Sequence, residues 1–467
     1  MKSSFLLLLL IDLTTKFIAA ADNLIRLPII KHATPHSIAK RDNIPAIPLF
    51  NANAREYLIE IGLGSPAQMF NVTLDTGSSD LWVPSSSCPK STCLYSRFIE
   101  KDSSTLNQTK RVFDVQYGSG SAKGLVAYDT VTIGNNLTSA NHVIGLANTT
   151  SGMSTSSITR VSGILGLGFQ GLLRDPAEDT FIQKLLRNQV IKEPVFSIYL
   201  NRQADYGYTG EIVIGGYETS RFTGTLNFLP VVNYNKRGQP NLGRVYSSEN
   251  NDDMMYKYWT VPGQAVASYT SDGSKLYETR FPDVQPAILD TGTTLSYLPQ
   301  DNVIEILETI TKDYAPLKLN GGAVQAYQVN CSDFTTQEMW FDFQFSPSVN
   351  TFSNSPVIIR VPLKELVLPQ NTDDINTATT CLFGLAPISS GFLSSIGSGW
   401  ILGQTVLRSA YVVHDMLEYQ IGIGAAANGY FSPTMVASLS VTKLAFHHHY
   451  CSVFLSLLII IINSLLV

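Results

Sequence analysis

The sequence predicts a mainly β protein made of two related lobes. Three observations carry that expectation. Short apolar runs such as YLIEIGLG (57–64), FNVTLDTG (70–77) and GLVAYDTVTIG (124–134) are strand-like, and Gly, Asn and Ser turns break them. Apolar residues at helical spacing are confined to a few stretches, Asp179–Asn188 and Gln300–Thr311 among them. One pattern occurs twice. LDTGSS at Leu74–Ser79 is followed by GILGLG at Gly163–Gly168, and LDTGTT at Leu289–Thr294 is followed by WILGQ at Trp400–Gln404. A structural unit used twice is the simplest source of such a repeat. The first lobe is placed at 42–203 and the second at 204–426, with the join after Phe196–Leu200.

Composition supports a folded chain and narrows its partners. Of 467 residues, 44% are hydrophobic and 15% charged, enough apolar surface for a core. The net charge is −5 with no long basic run, which argues against a nucleic-acid partner.

The two ends read differently from the middle. In residues 1–21, Lys2 precedes the apolar run Phe5–Ile11, and Ala19–Ala21 follow, the layout of a signal peptide. Residues 22–41 contain prolines, carry basic residues and end in Lys40–Arg41, a pair that a dibasic processing protease of the secretory pathway would cut. At the other end, residues 450–467 are an apolar tail with no basic residues after it, and a spacer at 427–449 precedes it. Small residues, polar spacer and apolar tail together form a GPI-attachment signal, so the expected membrane link is a GPI anchor. The His447–His449 triplet lies in this spacer and reads as polar filler, not as a metal site.

A secretory route favours disulfides. Cys451 would leave with the tail, and Cys88, Cys93, Cys331 and Cys381 remain, with three pairings open. The absence of a C-x-x-C motif speaks against zinc, and no metal or other cofactor is expected. Five N-x-S/T sequons mark glycosylation candidates. Asn107, Asn136 and Asn148 fall in turn-rich stretches, Asn330 is a fourth, and Asn71 sits on an expected core strand where occupancy is disfavoured.

The repeated motif carries chemistry. Peptide hydrolysis without a metal or covalent nucleophile needs one group to take a proton from water and another to protonate the carbonyl oxygen. Two carboxyls about 3 Å apart cannot both ionise, so one stays protonated and the pair supplies both roles. Asp75 and Asp290 are the candidates. Gly77 and Gly292 permit a tight turn beneath them, and Thr76 and Thr291 could brace one loop against the other. Ser78 and Thr293 can donate hydrogen bonds to the outer carboxylate oxygens. A single Asp-Thr-Gly is commonly a surface turn, so the weight rests on the duplication.

With these motifs the chain resembles the pepsin family of eukaryotic aspartic proteases over nearly its whole mature length. The resemblance implies a bilobal, pepsin-like double-β-barrel fold with the active site between lobes, protein or peptide substrates and a monomer. It makes Asp75 and Asp290 catalytic. VQYGSGSAKG (115–124) resembles the family's flap, with Tyr117, Gly118 and Ser119 at its tip and Trp82 as the hydrogen-bonding partner of Tyr117. It also implies disulfides Cys88–Cys93 and Cys331–Cys381. LIRLPIIKH (24–32) resembles the start of a basic inhibitory propeptide. Signal, dibasic site and tail together resemble the yapsin-like and candidapepsin-like enzymes of yeasts, which implies a location at the cell surface, in the wall or in the medium.

Three features depart from that resemblance. Ser119 stands where many fungal relatives carry an acid, which favours large apolar side chains over Lys or Arg at the cleavage site. Gln404 follows the second Ile-Leu-Gly where the family usually has Asp, which implies an altered pH profile. CPKSTC (88–93) is a short loop with no acidic processing insertion. A non-catalytic binding relative would be expected to lack one of Asp75, Asp290, Gly77, Gly292, Tyr117 or Trp82, and all are present.

Overall fold

The computed structural model describes residues 25–31 and 57–427, apart from 119, 135–136, 153–160, 203–207, 235–255, 319–322, 373–374 and 389–398. The signal segment, Lys40 and Arg41, Ser119, Asn136, the spacer from 428 and the apolar tail therefore lie outside the described residues.

Strands dominate, as the apolar alternation predicts, and they form three sheets among the described residues: thirteen, seven and four strands. Tyr57–Leu63 buries every residue except Glu60, because both its faces are covered. Gln68–Asp75 alternates and then ends buried at Leu74 and Asp75. The expected helices are present but shorter. Phe181–Arg187 begins at Thr180, whose hydroxyl and the Gln183 side chain form a reciprocal cap. Gln300–Glu308 stops before Thr309–Thr311, where β-branched residues with restricted side-chain rotamers weaken the helix.

The sequence repeat becomes a structural one. In the first half, the strand ending at Asp75 runs parallel to Ile164–Gly166, with Thr73 opposite Ile164 and Asp75 opposite Gly166. In the second, Lys275–Leu289 runs parallel to Trp400–Leu402, with Leu289 opposite Leu402. A short antiparallel strand flanks each pair: Leu81–Pro84 beside Ile164–Gly166, and Ser296–Leu298 beside Trp400–Leu402. Each Ile-Leu-Gly is thus the backbone template that holds an Asp-Thr-Gly strand end in place.

The halves are tied by a shared part of the thirteen-stranded sheet. Val195–Leu200 pairs with Ala410–Asp415 on one side and Tyr208–Ile214 on the other, and Gln420–Ala426 pairs with Phe222–Pro230. The expected division at 203/204 falls inside this shared sheet, between two of its strands. Ile25–Lys31, from the segment expected to be removed, occupies a slot between Tyr208–Ile214 and Tyr57–Leu63. The largest apolar core runs through both halves, with Leu74, Leu289, Phe196 and Trp259 among its members. Trp259 is fully buried, and its indole N–H donates to the Leu167 carbonyl at 2.9 Å.

The cysteines pair as Cys88–Cys93 and Cys331–Cys381. The sequons sit differently from the sequence reading. Asn107 opens the strand Asn107–Gln116 and Asn148 lies within Leu137–Ser151, both exposed on strands and not in turns. The threonines of NQT and NTT favour extended backbone, which a loop reading overlooks. Asn330 is exposed at the end of Val324–Asn330. Asn71 is half-buried on its strand, with its side-chain oxygen buried.

Candidate active site

The site is assembled from two strand ends and the loops that follow them. Thr76 and Thr291 cross between the halves. The Thr76 hydroxyl donates to the Leu289 carbonyl (2.8 Å) and accepts from the Thr291 amide (3.0 Å). The Thr291 hydroxyl donates to the Leu74 carbonyl (2.8 Å) and accepts from the Thr76 amide (3.1 Å). All four bonds are buried, so each fixes a backbone group that would otherwise lose its water at a cost of about 1–3 kcal/mol.

The carboxyls sit in near-identical cradles. Asp75 accepts from the Gly77 amide at 2.8 Å and the Ser78 hydroxyl at 2.5 Å. Asp290 accepts from the Gly292 amide at 2.8 Å and the Thr293 hydroxyl at 2.6 Å. The glycines serve the opposite carboxyl as much as their own. A Cβ on Gly77 would lie 2.6 Å from the Asp290 carboxyl carbon, and one on Gly292 would lie 2.3 Å from an Asp75 carboxyl oxygen. Only a residue without a side chain lets the two acids approach each other.

Burial pushes both acids up. For Asp75 the Asp290 charge adds to desolvation, against the donations from Ser78 and Gly77. For Asp290, desolvation is opposed first by the Thr293 hydroxyl and then by the hydrogen bond with Asp75. Both acids being raised by burial in contact with one another, the pair favours holding a single shared proton. The resulting titrations belong to the pair.

Tyr117 lines the same cleft as the two acids. Strands Asn107–Gln116 and Ser121–Ile133 form a hairpin. The Tyr117 amide donates to the Gly120 carbonyl at 2.7 Å, and the Gln116 side chain donates to the Tyr117 and Gly120 carbonyls. The Trp82 indole N–H donates to the Tyr117 phenol oxygen at 2.9 Å. Desolvation, then the charges of Asp75 and Asp80, raise the Tyr117 phenol well above its ordinary range. Gly118 also lines the cleft, while Ser119 lies outside the described residues.

Gln404 is buried beneath the second motif. Its amide N–H₂ donates to the Thr291 carbonyl at 2.9 Å, and its backbone N–H donates to the Thr293 carbonyl. Its side-chain oxygen is buried and has no hydrogen-bond partner among the described residues.

The cleft encloses about 1080 Å³ and contains residues that the sequence reading missed: Asp80, Arg174, Lys257, Tyr258 and Tyr297. Asp80 follows the first motif directly, a visible signal. Its carboxyl is pushed up to about 6, chiefly by burial, and it accepts only long bonds (3.3 Å) from the Arg174 amide. Among the described residues, no group of three or more His, Cys, Asp or Glu side chains converges as a metal would require.

A two-halved β fold that presents paired, buried carboxyls from repeated Asp-Thr-Gly loops defines an aspartic peptidase. Residues 56–426 match the family described as "Eukaryotic aspartyl protease". Curated relatives include Pepsin II-1 of Oryctolagus cuniculus, 30% identical over 80% of this chain and 81% of its own. Gastricsin of Homo sapiens is 31% identical over 79% and 81%. Cathepsin E-A of Xenopus laevis is 30% identical over 82% of each. The chain belongs to the eukaryotic aspartyl protease family and is a pepsin-like aspartic endopeptidase.

Proposed function

We propose that the chain cuts internal peptide bonds of proteins in acid, using a water held between Asp75 and Asp290. The Asp290 carboxylate takes a proton from the water as its oxygen attacks the scissile carbonyl carbon. Asp75 gives its proton to the carbonyl oxygen, which yields a neutral gem-diol. Asp290 then protonates the amide nitrogen, the C–N bond breaks, and Asp75 recovers a proton from a diol hydroxyl. The hairpin at Tyr117 acts as the flap that covers the substrate. The observation that carries this reading is the matched pair of cradles around two acids whose burial favours one shared proton.

The wider reading extends from the motifs. The chain is made as a secreted zymogen, cut after Lys40–Arg41 and held at a fungal cell surface by a GPI anchor, in the manner of yapsin-like or candidapepsin-like enzymes. Ser119 in the flap favours large apolar side chains at the cleavage site. Expression of the full chain in a eukaryotic secretory host tests each step. Expected outcomes are an N-terminus near Asp42, release from cells by phosphatidylinositol-specific phospholipase, and acid cleavage of an unfolded protein that a statine-type inhibitor stops. Uninhibited or absent cleavage at every acidic pH would sink the catalytic reading. A peptide-library profile dominated by Lys and Arg would sink the specificity reading.

A further inference from the structure

One stretch of the cleft wall carries two cations that form no ion pair with a carboxylate among the described residues, although the Arg174 charge acts on the nearby Asp80 carboxyl. Arg174 ends the loop that begins at Phe169, and Lys257 lies in the segment leading to Trp259. The two segments run side by side: the Phe169 amide donates to the Lys257 carbonyl at 3.2 Å and the Gly171 amide to the Tyr256 carbonyl at 3.1 Å. Both residues line the same cleft as the dyad. Among the described residues neither forms an ion pair with a carboxylate, whereas Asp114, one of the acids lining the cleft, is held by Lys123 at 3.0 Å. Asp175, next to Arg174, is engaged by Arg111 at 2.5 Å. Asp80 takes the Arg174 backbone amide, and no ion pair joins it to the guanidinium.

We propose that Arg174 and Lys257 form a cationic subsite that selects protein substrates carrying an acidic side chain on that side of the scissile bond. This rests on the reading of the cleft as the peptide-binding site. A carboxylate placed there meets two cations carried on segments joined by backbone hydrogen bonds, and ordering their long side chains offsets part of the attraction. Partly exposed pairs contribute modestly, and two together give roughly a five- to tenfold preference.

Charge sets the pH window. A substrate Glu ionises above about 4.3. Asp80 is pushed up to about 6, so below that pH it is mostly neutral and no longer competes for the cations. Other titratable groups lining the cleft are Asp75 and Asp290, which share a proton, Asp114, which Lys123 holds, and Tyr117, Tyr258 and Tyr297, all raised by burial and neutral. The preference should therefore be greatest between about pH 4.5 and 6.

The test uses the processed enzyme and a set of quenched fluorescent peptides with Glu, Gln or Lys moved stepwise along one sequence. Rates are normalised to active sites titrated with a tight statine-type inhibitor, so misfolded variant protein does not enter the comparison. At pH 5 one position should favour Glu over Gln by roughly five- to tenfold in kcat/KM, mostly through KM, and Lys should be the poorest. That ratio should approach one in the double variant Arg174→Gln/Lys257→Gln, in 1 M salt, and below pH 4. Arg174→Lys should keep most of it. A Glu preference at no position, or one unchanged in the double variant, overturns the subsite while leaving the protease reading intact. No turnover of any peptide by the wild-type enzyme overturns both.

Discussion

The hydroxyl of Thr76 and the hydroxyl of Thr291 each bind a backbone carbonyl of the opposite half and accept the other threonine's amide proton. The positions of Asp75 and Asp290 relative to one another are thus set by four buried bonds directly beside the acids. Replacing Thr76 by Val keeps the shape but leaves the Leu289 carbonyl and Thr291 amide without partners. The expected loss is about 2–4 kcal/mol of unfolding free energy, with a fall in kcat larger than any change in KM, while Thr76→Ser should retain most of both. Chemical denaturation and steady-state kinetics check this. An unaltered midpoint in Thr76→Val would show that the crossed bonds do not hold the halves.

Gln404 offers a separate control over the dyad. Its neutral amide binds the Thr291 carbonyl, one residue past Asp290. A carboxylate there adds negative charge near two acids already raised by burial, which raises their pKa values further. Gln404→Asp should move the acid limb of the kcat/KM profile to higher pH. Superimposable pH profiles for the two proteins would remove Gln404 from any role in tuning the site.

Stability should depend on pH from two sides. Asp80 is raised from 3.8 to about 6, and Asp75 is raised with it. Raised carboxyls favour folding fully below the unfolded value, and that contribution is lost as pH rises through the folded one. His142 and His414 are lowered from 6.5 to about 3, first by burial; His414 is fully enclosed, stacked on Phe196 and edge-on to Trp259. A lowered histidine favours folding above 6.5, and that contribution is lost as pH falls toward 3. The melting temperature should pass through a maximum between about pH 4 and 6. His414→Phe should flatten the acid side, and a melting curve equally steep below pH 4 in this variant would contradict the assignment.

The two disulfides should differ in weight. Cys331–Cys381 spans 50 residues and Cys88–Cys93 spans 5. On loop-closure entropy the first contributes about 4 kcal/mol and the second about 2 kcal/mol. Paired Cys→Ser variants, measured by thermal unfolding, should rank in that order. An equal or reversed ranking would show that native-state effects outweigh chain entropy here.

What the sequence disclosed follows from how local each feature is. Asp75 and Asp290 were legible because a short motif occurs twice, each time with an Ile-Leu-Gly that proves to be its parallel strand partner. The bracing role of Thr76 and Thr291 could be inferred from their place in the motif, though not the crossed pattern of their bonds. Asp80 and Arg174 touch across 94 residues, and no spacing rule announces such a contact. Lys257 lines the cleft in a segment held by long-range bonds, from the Trp259 indole to the Leu167 carbonyl and from the Phe169 amide to the Lys257 carbonyl. The pairing of Val195–Leu200 with Ala410–Asp415 is likewise a long-range choice, set by burial and register and not by local pattern. Asn148 was misplaced for the opposite reason: a turn-like composition lies on the solvent face of a fifteen-residue strand.

The central claim is that Asp75 and Asp290 act as one proton-sharing unit. The most direct measurement is cleavage of an unfolded protein at pH 3–6 by Asp75→Asn beside the wild-type enzyme, with both shown to be folded by their melting curves. The variant should show no cleavage above background, because an amide can neither carry nor return the shared proton. Statine-sensitive cleavage at a rate near wild type would contradict the account.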